Sequence, residues 1–194
     1  MNCRTVYSLK ELHDLLEKHE EKHRLCVFID LDLTIIKSHD ENEEIDVLIE
    51  PEVTKELFNY MVNNNIYFAF ITGRFYDTVC VAKKRNLREI EKNIFTSIFP
   101  ILEELGLDIS QYKDDSLRDE IHIVRNDRKR CIGILYRGIF FTGNKGETIK
   151  QYKKSFNLND SHPITIFIDD HDPYLRSVAK HVPDAVILKR NIEY

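Results

Sequence analysis

The sequence is short of several things, and each shortage argues against a class of protein. No apolar run approaches the length that a membrane span needs, and the N-terminus lacks the apolar core of a signal peptide. The expectation is a cytoplasmic protein with no membrane partner, with export by a route that needs no signal peptide left open. Glycine (6) and proline (5) are scarce in 194 residues, and no Pro/Gly/Ser-rich linker, repeat or low-complexity segment divides the chain. One domain spanning 1–194 is expected, long enough for a substantial core. The four cysteines, Cys3, Cys26, Cys80 and Cys131, form no C-x-x-C pair. They read as reduced thiols, not as a disulfide framework or a zinc site. His19 and His23 are four apart but lie among Glu and Lys, as on a solvated helix face. An excess of positive charge is also missing: the net charge of −5 argues against a general nucleic-acid binder.

What is present centres on Leu25-Cys-Val-Phe-Ile-Asp30-Leu-Asp32-Leu-Thr34. A short β-branched and aromatic run leads into two aspartates two positions apart. The run reads as a buried parallel strand. Ligands of open α/β sheets sit beyond the carboxyl ends of the strands, where Asp30 and Asp32 stand. Unpaired buried charge is costly, so a metal ion or ligand is expected beside them. The alternative is a turn capped by Asp30 with Asp32 solvated.

Around this stretch the chain alternates helix and strand. Ser8-Leu-Lys-Glu11 is a capping-box pattern, and Leu9, Leu12, Leu15 and Leu16 predict an amphipathic helix over 9–22. Lys37 to Glu44 is polar and reads as loop. Pro51 opens a helix ending at Asn63-Asn-Asn65. Ile66–Ile71 reads as a strand running into Thr72-Gly73-Arg74. A hydroxyl and a glycine N–H at a helix start suit a phosphate, and Thr72 would equally serve as an N-cap. Residues 75–105 read as helix in two pieces. Strands are predicted at 121–124, 131–136 and 139–142, with the basic run Arg125–Arg130 as a hairpin tip that is either solvated or meets an acidic or phosphorylated partner. Lys145 begins a helix, where a lysine opposes the helix dipole and so suggests a nearby anion. It could instead snorkel to water. A third apolar strand, 163–168, ends in Asp169-Asp170. Asp172 before Pro173 is assigned to helix capping. Ala185–Leu188 reads as the last strand.

Three strand ends and one helix start thus carry polar groups, and together they suit phosphoryl transfer. Clustered carboxylates suit Mg²⁺, an ion of oxygen ligands. One carboxylate can attack phosphorus, and its neighbour can protonate the leaving oxygen and then activate water.

These residues resemble the motifs of the haloacid dehalogenase superfamily. Asp30-Leu-Asp32-Leu-Thr34 is similar to its D-x-D-x-T motif, Thr72-Gly73-Arg74 to the second motif, Lys145 to the third and Asp169-Asp170 to the fourth. The resemblance implies a three-layer α/β/α Rossmann-like fold with a mainly parallel sheet. It implies a Mg²⁺-dependent phosphohydrolase working through an aspartyl phosphate. Asp30 would be the nucleophile and Asp32 the general acid/base. Thr72, Gly73 and Lys145 would bind the phosphoryl group. Asp30, the Asp32 backbone carbonyl, Asp169 and Asp170 would surround the metal. Within the superfamily, Tyr136–Glu147 and Phe167–Asp170 resemble an uncharacterised bacterial branch that often has Asn where this chain has Tyr174.

Spacing bears on the substrate. About 37 residues separate Thr34 from Thr72, too few for a cap domain beside the expected helix and loops. The insertion at 108–138 offers a small flap or hairpin at most. An open site would admit a phosphorylated small molecule or a phosphoprotein. A phosphomutase or other phosphotransferase would use the same residues. An inactive binding module of the same fold is the third reading.

Overall fold

All six residues of Leu25–Asp30 are buried. Leu25, Val27 and Ile29 join one apolar cluster, while Cys26 and Phe28 join another. A strand that is apolar on both faces needs a layer of helices on each side, and the chain supplies both.

The structure, a computed structural model, describes residues 3–40, 43–74, 99–105, 122–136 and 138–192. In chain order the elements are β1 (Cys3–Val6), α1 (Leu9–Glu17), β2 (Leu25–Asp30), β3 (Ile36–Asp40), β4 (Glu43–Leu48), α2 (Pro51–Asn63), β5 (Tyr67–Thr72), α3 (Phe99–Glu104), β6 (His122–Arg125), β7 (Cys131–Tyr136), β8 (Ile139–Phe141), α4 (Lys145–Ser155), α5 (Leu158–Ser161), β9 (Ile164–Asp169), α6 (Asp172–His181) and β10 (Val186–Arg190). Eight strands form one sheet in the order β1-β10-β9-β2-β5-β8-β7-β6, and β3 with β4 forms a separate two-stranded sheet. The large sheet is parallel from β1 to β8. β7 runs antiparallel to β8, and β6 antiparallel to β7.

The two faces are covered differently. Leu9, Leu12 and Leu16 of α1, Leu57, Phe58 and Met61 of α2, and Ile101 and Leu102 of α3 pack on Val27, Ile29, Phe68 and Phe70. Ile149 and Tyr152 of α4, Leu158 of α5, and Leu175 and Val178 of α6 pack on Phe28, Ile71 and Phe167. This is a three-layer α/β/α arrangement. Each fully buried large side chain contributes roughly 1.5–3 kcal/mol by leaving water.

Several local expectations are met and others are corrected. α2 spans Pro51–Asn63, and Asn65 closes it with a left-handed φ of 53°. Helix α1 stops at Glu17, not at 22, because residues 17–23 supply no apolar group to hold a further turn on the sheet. The expected loop at Lys37–Glu44 is strand where it is described: residues 37–40 belong to β3 and 43–44 to β4, whose register pairs Ile36 with Leu48 and Lys37 with Val47. Strand β1 was not expected, because half of its four residues are exposed at the sheet edge and show no long apolar run. Residues 122–136 form an antiparallel hairpin, β6–β7, that extends the main sheet. Residues 108–121 and 137 of the expected insertion, and 75–98 of the expected helices, lie outside the described residues. Cys131 is disulfide-bonded, whereas Cys3 and Cys26 are free, so the reading of four reduced thiols fails for Cys131. Cysteine spacing along the chain does not report distance across the fold. Among the described residues no helix is long and apolar enough to cross a membrane.

Candidate active site

Parallel pairing of β9, β2 and β5 brings their carboxyl ends to one edge of the sheet. Asp30 ends β2, Thr72 ends β5, Asp169 ends β9, and Lys145 opens α4 beside them. Asp30, Thr72, Lys145 and Asp169 are all at most 3% exposed.

After Asp30 the chain turns sharply. The Ile35 and Ile36 N–H groups donate to the Leu31 carbonyl at 3.0 and 2.9 Å, and Leu33 N–H donates to Ile36 O at 2.8 Å. Leu33 takes a left-handed φ of 54°. This turn presents Asp32 to the site and launches β3. Thr34, fully buried, donates its hydroxyl to Asp30 Oδ2 at 3.4 Å.

Lys145 is the hub. Its Nζ donates to Asp30 Oδ1 and, at 2.7 Å, to Asp169 Oδ2. It also lies 4.3 Å from the centre of the Tyr174 ring. The reading of Lys145 as a lysine that snorkels to water therefore fails. Its position is fixed from α4 and α6 together. Asn144 caps α4 by accepting from Glu147 N–H at 3.2 Å, and Ser177 of α6 donates to the same Asn144 oxygen at 2.8 Å. Gly146 lets the two helices meet, since a Cβ there would lie 2.2 Å from the Ser177 carbonyl oxygen. Gly146→Ala is expected to lower stability by about 1–3 kcal/mol through overpacking, read as a drop in Tm. An unchanged Tm would mean that the α4–α6 contact yields freely.

The other groups fall into place around this hub. Asp169 Oδ1 accepts from His171 N–H at 2.8 Å, which aims Oδ2 at Lys145. Thr72 donates its hydroxyl to Asp32 Oδ2 at 2.9 Å, and Arg74 Nε donates to Asp32 Oδ1. Thr72 Oγ1 also accepts from Arg74 N–H at 3.0 Å. A Cβ on Gly73 would fall 2.7 Å from the Tyr174 hydroxyl, so a larger residue there would push the Tyr174 side chain aside. Asp172 does not cap α6; His171 holds that position, and Asp172 pairs with Lys189 at 2.8 Å instead.

One carboxylate oxygen from each of Asp30, Asp169 and Asp170 lies within 4.8 Å of the others. The Asp32 carboxylate, bonded to Thr72 and Arg74, stands outside this group. Burial pushes the Asp30 carboxyl well above its ordinary range; Lys145 opposes that and Asp169 adds to it. Burial raises Asp169 as well, against the pull of Lys145, and burial with Asp169 raises Asp170. For Lys145 burial alone would favour the neutral amine, but Asp30 and Asp169 outweigh it and keep the ammonium charged. Three carboxylates, Asp30 and Asp169 buried and Asp170 half-buried, therefore face one ammonium. An oxygen-only donor set with excess negative charge fits a hard divalent cation.

No protein-family model matches this chain, and no curated protein matches it. The site must be read from its own geometry. That geometry brings together Asp30, Asp169, Asp170 and Lys145, and joins Thr72 to Asp32. Sequence reasoning gave no role to the Arg74 side chain or to the Asn144–Ser177 support. Arg74 had a signal in Thr72-Gly73-Arg74; Ser177 had none.

Proposed function

We propose that the chain is a Mg²⁺-dependent phosphohydrolase acting on phosphomonoesters through an aspartyl phosphate on Asp30. The observation that carries this reading is the buried Asp30 carboxylate, held by Lys145 and grouped with Asp169 and Asp170 at the ends of two parallel strands, β2 and β9. Asp30, Asp169 and Asp170 would hold the ion. When bound, Mg²⁺ supplies positive charge that offsets repulsion between an anionic nucleophile and an anionic phosphate.

The chain's own residues do the rest. Lys145 and Thr34 fix the Asp30 carboxylate, leaving an oxygen lone pair to attack phosphorus. The Lys145 ammonium and the Thr72-Gly73 segment bind the phosphoryl oxygens. Asp32 protonates the departing oxygen and later takes a proton from water. Both Asp32 oxygens accept hydrogen bonds from Thr72 and Arg74, the pattern of the ionised carboxylate, so to act as acid Asp32 first takes up a proton and gives up one of these bonds. Arg74 is thus a positioning residue for Asp32.

A screen of phosphorylated metabolites and phosphopeptides with and without Mg²⁺ tests the reading. Phosphate release that stops on chelation is expected, with Ca²⁺ a poor substitute. Full turnover in excess chelator would refute it. Metal binding has a separate readout in stability. At about a hundredfold excess over Kd, Mg²⁺ should add about 2.7 kcal/mol, or about 5–10 °C in Tm. Protons compete for the same raised carboxylates, so the gain should be full near about pH 8 and fade as pH falls through their raised range. A gain independent of pH would place the ion elsewhere.

A further inference from the structure

A run of positive charge lies outside the cluster of acids, in the turn between β6 and β7, where Arg125, Arg128, Lys129 and Arg130 stand. The turn is built to hold its shape. Asn126 N–H donates to Arg130 O at 3.0 Å, and Lys129 N–H to Asn126 O at 2.8 Å. The Asn126 side-chain oxygen accepts from Arg128 N–H at 3.1 Å and Arg130 N–H at 3.0 Å. Arg125 donates to the Lys129 carbonyl at 3.1 Å. Among the described residues the side chains of Arg128 and Arg130 make no ion pair.

Strand direction brings this turn to the active-site edge. β7 runs antiparallel to β8, so its first residues lie beside the carboxyl end of β8. Thr142 joins the two places: its N–H donates to Thr72 O at 2.9 Å, and its hydroxyl donates to Ile132 O at 2.7 Å. Two strand spacings, about 10 Å, separate β5 from β7. A cavity of about 300 Å³ opens here, lined by Asn126, Asp127, Arg128, Arg130 and Glu147. Glu147 is two residues from Lys145 on α4. The acids in this lining are already engaged. Asp127 pairs with Lys154 at 3.4 Å, and Glu147 accepts from Asn144 Nδ2 at 3.2 Å. Glu147 keeps its negative charge because its Asn144 partner is neutral, and Arg128 and Arg130 are the cations of this lining that make no ion pair among the described residues.

We propose that this cavity receives a second phosphate of the substrate, and that the substrate class is a small bisphosphorylated molecule, such as a sugar bisphosphate. The inference rests on the phosphohydrolase reading. The lining is polar and open to solvent, which suits a charged group more than an apolar one. Arginine suits phosphate because its planar fork donates two hydrogen bonds at once. The reacting phosphate sits at Asp30 and Lys145, and the spectator phosphate sits against Arg128 and Arg130.

The test compares kcat/KM for a hexose monophosphate and the matching bisphosphate, on the wild-type chain and on Arg128→Ala/Arg130→Ala. The bisphosphate should be favoured by about tenfold or more, and the ratio should fall to about one in the double variant. Arg128→Lys/Arg130→Lys should recover part of it. A ratio near one in the wild type, or one unmoved by the substitutions, overturns the proposal. Calorimetric titration of the bisphosphate into Asp30→Asn needs no turnover and separates the two readings. A loss of affinity of about tenfold on adding Arg128→Ala/Arg130→Ala supports the subsite even if no phosphate is ever released. Unchanged affinity refutes it even if monophosphates are hydrolysed. Tighter binding of an acidic phosphopeptide through the same arginines would overturn the small-molecule class.

Discussion

Asp30→Asn should abolish phosphoryl transfer and leave the protein at least as stable as the wild type. The substitution removes the attacking oxygen anion, so no aspartyl phosphate forms with any substrate. Removing a nucleophile that acts as part of a unit costs about 10⁴–10⁶-fold in kcat. Stability should move the other way or not at all. Burial holds the Asp30 carboxyl well above its ordinary range, so its ionised form costs folding free energy near neutral pH. Asparagine carries no charge there, and Lys145 keeps Asp169 as its partner. Rapid-quench assays and urea titrations near about pH 8, without divalent ions, give both numbers. Asp32→Asn provides the contrast. It keeps the nucleophile and removes the acid/base, a loss of about 10²–10⁴-fold. Phosphoenzyme should then accumulate, most with an aryl phosphate, whose leaving group needs little protonation. Equal damage from both substitutions with no trapped phosphoenzyme would show that the two roles are wrongly assigned.

Lys145→Met should be the most destabilising single substitution in the site. From sequence alone a lysine at a helix start looks replaceable without harm to the fold. The structure corrects this, because Lys145 is 1% exposed and its ammonium is shared by Asp30 and Asp169. Methionine leaves those carboxylates buried without compensation, at a cost of about 3–5 kcal/mol. The sign with pH follows directly. Without the ammonium the folded-state pKa values of both acids rise further above their unfolded values. Such groups contribute stability below the unfolded pKa and lose it as pH rises through the folded pKa. The deficit should therefore be largest near about pH 8 and close near about pH 4, where both acids are protonated. Urea denaturation at the two pH values measures it. A deficit that did not vary with pH would point to lost packing, not to uncompensated charge. Activity should fall in kcat/KM, since the charge contacts the phosphoryl group in ground and transition states alike.

The contrast with Lys145 shows what a sequence can and cannot carry. Asp30, Thr72 and Asp169 were legible because a strand's apolar run has a definite end, and a polar residue there stands at the sheet's carboxyl edge. The depth of Lys145 was not legible, because helix periodicity says nothing of what lies ahead of the first turn. β3 and β4 were missed for a related reason. The stretch Lys37–Glu44 is mostly polar and so leaves little apolar alternation to read. The sheet's central strands, α2 and α4 were clear from pattern and caps. The extra antiparallel strands were foreseen as strands, but nothing local told that they would widen the main sheet.

The strand that carries Asp30 also has a history during synthesis. β2 lies between β5 and β9, and β9 follows it only after most of the described chain has passed. Until β9 docks, one edge of Leu25-Cys-Val-Phe-Ile lacks its partner: a short apolar β-rich segment with open hydrogen-bonding groups. Such edges invite pairing with other copies. Pairings between segments so far apart in the chain also form slowly. The ionised carboxylate at the end of the strand repels a second copy in register, as a gatekeeper residue does. Asp30→Asn, although no less stable once folded, is then expected to leave more protein aggregated during expression, read as the soluble fraction against wild type.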